Sequence, residues 1–554
     1  MLEFDEPATT ATRRQGPTRA IGPETLHALL LGDDELALLD VREARAFHAG
    51  HLNLARSAPL SSLELQVGAF VPRRAVTVVL YDDAGEAGAA AMRAAALLER
   101  LGYGDVRLLQ GGLRAWTEHG LPSIDGWNTL VKTFGDLVRK RYATPVLPLA
   151  ELHALRESKS PLALVDVRPA DEFAFLSIEG ARNHPGVELA LRDFSSAEKD
   201  AEPLWAINCF SRTRGILGAT TLSVLGHPRA AFVEEGVMAW SLRGGAVASA
   251  ARALPGLTQA PPEVLTQRAG QLRARAGIAT IDGVQLERWR ADPSRTLYIF
   301  DVRPEPGAAS AAAADVRHVP GGQVLMHFEQ LVGTRNARLV LVDDAHGLRA
   351  AVTAFWLQQF NQCEVAVLDG EAPPWSARVD EERHVDEPAV RAVGAHTLRA
   401  WLAKGDAVVV DVGPSEDFER GHIVGARYLL PASMSPLAPL VTRGRKLVFT
   451  SPDGAAARIA AQEARREWPT AVNAFWLEGG TQGWVGSGGL TTSSYTPQDL
   501  LTPFDDDWGS TMRVGPSRRE AVWREYLTWE RALSDRVVLD PTVRFKLLYP
   551  PIQR

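Results

Sequence analysis

Short runs of Val, Leu and Ile alternate along the chain with longer stretches whose apolar residues return every three or four positions. "AVTVVLYD", then "AGAAAMRAAALLERLGY", then "VRLLQ" shows the alternation within one stretch. An unbroken apolar run of that length predicts a strand covered on both faces, and the segment between predicts an amphipathic helix. Strands of this kind alternating with helices predict an α/β domain: a parallel sheet flanked by helices on both faces.

The pattern recurs. "LLDVREARAFHAGHLNLA" at Leu38 returns as "LVDVRPADEFAFLSIEGA" at Leu164, "IFDVRPEPGAAS" at Ile299 and "VVDVGPSEDFERGHIVGA" at Val409. Each is followed by a strand and a glycine–tryptophan segment: "LLQGGLRAW", "FVEEGVMAW", "VLDGEAPPW" and "WLEGGTQGW". Asp40 to Gly112 is 72 positions and Asp166 to Gly236 is 70, while Asp301 to Gly370 and Asp411 to Gly480 are both 69. Agreement at four places predicts four copies of one unit. Their expected bounds are 19–125, 145–252, 275–382 and 390–490, with an N-terminal tail over 1–18 and a C-terminal extension over 491–554. A linker helix is expected over 126–144, where Trp127, Leu130, Val131, Phe134 and Val138 form a stripe. A proline-containing connector is expected over 253–274. After Trp484 the chain reads as irregular, and "RREAVWREYLTWERALSDRV" as a final helix with no function assigned.

One stretch carries chemistry. "INCFSRTRGILGATTL" holds Cys209, one of 2 cysteines, between the predicted strand "PLWAIN" and the predicted helix "GILGATTLSVLG". In parallel α/β sheets ligands bind beyond the carboxyl ends of strands, where a helix begins. Counted from the strand aspartate, the same position falls on Asp82, Cys209, Asp343 and Ser451, at offsets of 42, 43, 42 and 40. Only unit two offers a nucleophile. A free thiol titrates near about 8.5, and a helix N-terminus or a neighbouring arginine lowers that, so Cys209 is expected to react as a thiolate. Arg212 and Arg214 bring charge suited to an anionic donor, without the sequence deciding which faces the site. Cys363, between a predicted helix and strand, reads as packing. Asp166 and Arg168 read as a structural ion pair, because units one and three keep the motif without the cysteine. His51 and His422 read as structural as well, since unit two has Ser177 there.

Composition narrows the field. At 554 residues roughly three to five domains are expected. With 45% hydrophobic residues, 23% charged residues and a net charge of −7, neither nucleic acid nor membrane is expected as a partner. Apolar runs are too short to span a bilayer, the N-terminus has no apolar leader, and two cysteines make no disulfide framework, which predicts a cytoplasmic protein.

Asp-Val-Arg, Gly-His-Ile, the cysteine loop and Gly-x-x-x-Trp together resemble the rhodanese domain, and the chain resembles the bacterial sulfurtransferases with four tandem rhodanese-like domains. The resemblance implies transfer of a sulfane sulfur from thiosulfate or 3-mercaptopyruvate to cyanide or a thiol, through a persulfide on Cys209. It implies donor binding by the loop, Phe210, Ser211, Arg212, Thr213, Arg214 and Gly215, together with Arg182. Phe210 is expected to narrow the cleft or to favour a bulkier acceptor. The implied partners are a small-molecule sulfur donor and a thiol acceptor, with another protein as a further candidate acceptor. No cofactor and no metal is expected, since Cys209 has no Cys or His at ligand spacing. Two rivals remain. A cysteine phosphatase of the same fold needs a loop with five residues between Cys and Arg, longer than this one. A non-catalytic scaffold, or a persulfide carrier for a protein partner, fits the three copies without a nucleophile.

Overall fold

The computed structural model describes residues 19–84, 89–194, 203–227, 229–249, 256–305, 313, 315–370, 389–441 and 445–548. The predicted tail 1–18, Trp375, residues 253–255 of the second connector and 549–554 of the extension lie outside them.

Each Asp-Val motif closes a central strand of a parallel sheet. These strands are Leu36–Asp40, Leu162–Asp166, Leu297–Asp301 and Ala407–Asp411. Beside each lies the strand leading to the loop: Thr77–Tyr81, Leu204–Asn208, Arg338–Val342 and Lys446–Thr450. Next comes the strand before the glycine–tryptophan segment, then the first strand of the unit, so all four sheets share one order. Buried Val, Leu, Ile and Ala fill both faces of the central strands, as expected for sheets covered by helices. Helices such as Ala89–Arg100 and Thr213–Val224 supply the cover. No helix among the described residues is long and apolar enough to cross a membrane.

The repeated motifs are structural fasteners. Arg42, Arg168 and Arg303 each grip the aspartate two residues before through Nε and Nη2, at 2.5–3.0 Å. His51 and His422 bond through Nδ1 to the carbonyls of Phe47 and Phe418 and stack on those rings. Trp116, Trp240 and Trp484 donate Nε1–H to the carbonyl six residues on. Gly112, Gly236 and Gly480 have φ of +57° to +59°, and an added Cβ would stand 2.1–2.2 Å from the carbonyl oxygen of Asp82, Cys209 or Ser451. The glycine therefore lets the segment press on the loop. Unit three departs from the alignment. Counted from the strand end at Leu368, Gly370 matches Gly111, Glu235 and Gly479 rather than the pressing glycine, and no atom of the described residues stands within 4 Å of its Cβ site.

Unit four has glycine where the others have the gripping arginine, so among the described residues Asp411 keeps only a bond from Gly413 N–H, 2.9 Å. Burial pushes its carboxyl up to about 6. The folded chain thus holds a proton that the unfolded chain releases near pH 4, and stability falls as pH rises from about 4 to 6. Asp411→Asn keeps the acceptor and removes the charge. It is expected to raise stability at pH 8 by up to about 3 kcal/mol, with a smaller gain at pH 5, read from denaturant midpoints at the two values.

The units interlock. Strand Thr334–Arg335 of unit three pairs antiparallel with Leu36–Ala37 of unit one, extending that sheet. Glu35 ties the joint by accepting from Arg73, Arg295 and both the amide and hydroxyl of Thr296. The linker helix is Thr129–Tyr142, with Leu130, Val131, Phe134 and Val138 buried as expected and Trp127 half-buried. One hydrophobic core unites it with units one, two and three. The second connector differs from expectation: Pro262–Ala276 is a helix that buries Leu265, Ala269 and Leu272 in that core. The C-terminal helix runs Pro516–Val537, and the chain continues past it to seat Phe545 against Phe134 and Phe360.

Candidate active site

Cys209 follows the last residue of strand Leu204–Asn208, and helix Thr213–Val224 begins four residues later. The carbonyls of Cys209 and Phe210 accept from the amides of Val237 and Met238, at 2.9 and 3.0 Å. Since C=O and N–H of a peptide point oppositely, the loop turns its amide side inward. Gly215 N–H reaches the Cys209 sulfur, one of the unpaired first-turn amides of the helix.

The other three units show what this cradle holds. Asp82 accepts from the amides of Ala84 and Ala91, at 2.7 and 3.0 Å. Asp343 accepts from Asp344 and Ala350, at 2.8 and 3.0 Å. The Ser451 hydroxyl accepts from Gly454 and Ala457, both 3.2 Å. In each unit the loop and the helix start present amides to whatever side chain follows the strand, and in two of them that side chain is a carboxylate. This is the anion-binding character of a helix N-terminus.

The arginines separate. Arg212 turns to the linker helix, with Nη2 bonding Asp136 at 2.6 Å and Nη1 the Glu530 carbonyl at 3.4 Å. Arg214 stays beside the thiol, held bidentately by Glu172 at 2.6 Å through both nitrogens. Burial pushes the Cys209 thiol up from its ordinary value, and the Arg214 charge and the Gly215 N–H recover only part of that. This corrects the expectation that the helix start and the arginines bring the thiol below its ordinary value. Both predicted effects are present, but Cys209 is 3% exposed, and loss of water outweighs them.

Of the other candidates, Thr213 is buried against Gly135 of the linker helix, 2.8 Å from where a Cβ would stand. Phe210 does not narrow a cleft. It packs edge-on against Trp523 of the C-terminal helix, ring centroids 5.3 Å apart, with the Arg168 guanidinium 5.4 Å above its ring. Arg182 lies on strand Arg182–Asn183 and lines a separate depression with Asp193, Phe194 and Trp205, away from the loop.

Several neighbours of Cys209 come from segments the sequence left without a role. Ser211 donates to Glu530 at 3.2 Å and hydrogen-bonds Tyr526, both on the C-terminal helix. Lys132 of the linker helix lies over the Tyr526 and Trp529 rings, 5.1 and 4.9 Å from their centres. Burial pulls its ammonium down to about 8, against the pull of Glu530 and Glu329. Burial likewise raises the Glu530 carboxyl. His327 of unit three faces the Arg214–Glu172 pair. The sequence signalled the linker-helix part of this roof through its apolar stripe, which says that the helix is covered and not by what.

Asp343, Asp344 and His346 bring their ligand atoms within 4.8 Å of one another. Arg349 already bonds both aspartates, at 3.4 and 2.7 Å, and His346 Nδ1 accepts from Leu348 N–H. The cluster is an ion-pair network whose cation is Arg349.

Residues 22–119, 148–243 and 394–487 match the family model for the rhodanese-like domain. A sulfurtransferase of Allochromatium vinosum is 31% identical over 104 residues, 19% of this chain and 92% of that protein. The crystal structure of thiosulfate sulfurtransferase from Pseudomonas aeruginosa superposes with a TM-score of 0.85 at 32% identity. That match covers 96% of this chain and 100% of the other.

Proposed function

This chain belongs to the family of rhodanese-like domains, and we propose that it is a sulfurtransferase working through a persulfide on Cys209. One observation carries the reading: the cradle of loop and helix amides recurs in every unit, and only in unit two does a thiol occupy it. Four copies of the domain are inferred, over 19–125, 145–252, 275–382 and 390–490. The third keeps the sheet and the gripping arginine but has lost both the cysteine and the pressing glycine. The two free cysteines fit a reducing compartment such as the cytoplasm.

The donor is thiosulfate or 3-mercaptopyruvate. With thiosulfate, the Cys209 thiolate attacks the outer sulfur, the S–S bond breaks, and its electron pair leaves on sulfite. The amide cradle and Arg214 hold the negative charge that moves onto the outer sulfur. Cyanide or a thiol then takes that sulfur and returns the thiolate. Arg214, rather than Arg212, is the donor's partner in this reading. Ser211 and Gly215 shape the loop, while Phe210, Thr213 and Arg182 act at a distance from the donor.

Intact mass after incubation with each donor tests it. A gain of one sulfur atom, lost on adding cyanide, is expected with at least one of them; no gain with either would sink the persulfide. Because the resting thiol titrates above its ordinary value, alkylation of Cys209 by iodoacetamide is expected to be slow at pH 7 and to accelerate up to pH 9 and beyond. A rate already level by pH 7 would contradict the burial argument. Glu172→Gln leaves the Arg214 charge unbalanced beside the sulfur, and is expected to shift that profile to lower pH.

A further inference from the structure

The C-terminal helix Pro516–Val537 stands outside the four units and lies on the loop of the one unit with a thiol. Three contacts fix it there. Trp523 packs on Phe210, Arg531 pairs with Glu235 at 2.5 Å, and Ser534 donates to Asp136 at 2.7 Å. Glu530 falls on the face that carries Trp523 and Ser534, seven positions after the first and four before the second, so the helix presents its carboxylate to the loop.

That carboxylate is buried and poorly answered. Oε1 accepts from the Ser211 hydroxyl at 3.2 Å, while Oε2 meets no donor among the described residues. The groups that face it are Lys132 from the linker helix, Arg212 from the loop, Glu235 from the glycine–tryptophan segment and Tyr526 from its own helix. Neither cation bonds the carboxylate. Lys132 donates to the Trp127 carbonyl at 2.6 Å, and Arg212 to Asp136 at 2.6 Å. A charge left without a close counter-charge in a dry site acts on its neighbours with little screening.

Cys209 is one of those neighbours. Arg214 and the Gly215 N–H favour the thiolate, Asp166 and Glu530 oppose it, and Tyr526 faces the sulfur as well. Asp166 is gripped by Arg168 and recurs as Asp40 and Asp301 in units without a cysteine at the loop. Its duty is structural. Glu530 belongs to no such fastener, and a helix from outside the repeat brings it to this loop.

We propose that Glu530 is a positioning residue for the reaction: its carboxylate holds Cys209 as the thiol between turnovers and so guards it from peroxides. The inference rests on Cys209 being the nucleophile of the persulfide reading. Oxidation of a cysteine starts from the thiolate. The sulfur attacks one oxygen of hydrogen peroxide, the O–O bond breaks, and hydroxide leaves with the electron pair, which makes a sulfenic acid. A sulfur held protonated makes that attack slowly.

Iodoacetamide alkylation of Cys209 from about pH 6 to pH 10 tests this without any sulfur donor, followed by peptide mass so that Cys363 is scored apart. In Glu530→Gln the midpoint is expected to fall by about one unit, the order that a single charge contributes at close range. Loss of the thiol to hydrogen peroxide at pH 7 should rise about tenfold with it. Glu530→Met, with no polar atom to bury, makes the same test should the glutamine misfold. Glu530→Asp keeps the charge and should stay with wild type, as should Glu525→Gln at an exposed position of the same helix. A midpoint that stays or rises in the uncharged variants overturns the proposal. So does an equal fall in Glu530→Asp or Glu525→Gln, or a peroxide rate that ignores the midpoint. No uptake of sulfur from either donor by wild type would instead remove the persulfide reading, while the alkylation profiles still report on Glu530.

Discussion

Cys209→Ser should lower sulfur transfer to cyanide by at least about a thousandfold, the usual scale for deleting a nucleophile. Its stability should stay within about 1 kcal/mol of wild type. The second half of that expectation comes from unit four, where Ser451 stands in the same cradle and its hydroxyl accepts from two amides at 3.2 Å. Serine is thus a residue this loop already accommodates, so the lost rate reports sulfur chemistry rather than a collapsed site. Turnover with thiosulfate and cyanide, beside a denaturant midpoint, makes the comparison. Transfer persisting at a tenth of wild type or more would mean that the sulfur passes elsewhere, and Cys363 would be the thiol to examine. Burial pushes that thiol up to about 12, and it sits outside any loop cradle, between helix Leu348–Phe360 and strand Glu364–Leu368.

Gly236→Ala should cost about 3 kcal/mol or more of stability and lower turnover by about ten- to a hundredfold. Its backbone is left-handed, at a φ of +58°, and the new Cβ would stand 2.2 Å from the Cys209 carbonyl oxygen and 2.7 Å from that of Ser211. Left-handed geometry alone costs about 1–2 kcal/mol. The clash adds to it, because the loop must back away from Val237 and Met238, whose amides hold its carbonyls in place. Displacing a reacting group by about 1 Å is enough for a hundredfold loss. Gly480→Ala supplies the control, with its Cβ 2.1 Å from the Ser451 carbonyl oxygen and a φ of +59°. It should destabilise unit four to a similar degree and leave turnover per folded molecule unchanged. If both variants turn over like wild type, contact between this glycine and the loop does not set the reactivity of the thiol.

The periodicity of apolar residues was enough to read out strands, helices and the parallel α/β sheets, because which face of an element is buried is written locally. The repeat was equally plain. Similar short motifs at near-constant spacing fall at the same strand ends, since Asp-Val-Arg grips its strand end in units one, two and three and the glycine–tryptophan segment presses on the loop in units one, two and four. The spacing also placed Asp82, Cys209, Asp343 and Ser451 at one structural position, each directly after its strand. It erred at Gly370, where the glycine matches the residue before the pressing one and constant spacing could not reveal a one-residue slip.

What surrounds Cys209 was decided only in three dimensions. Arg212 and Arg214 are alike in sequence, yet the phase of the helix start sends one to Asp136 and leaves the other with Glu172 beside the sulfur. The aromatic ring of Phe210 has no local preference between cleft and core, and Trp523, more than three hundred positions away, settles it. Lys132, Tyr526 and Glu530 reach the loop because a linker helix and a C-terminal helix pack there, and His327 because unit three does. The height of the thiol's pKa follows from the same cause. A charge responds to helix dipoles and neighbouring arginines that the chain announces, but also to the water it loses, and that loss depends on every segment packed around it.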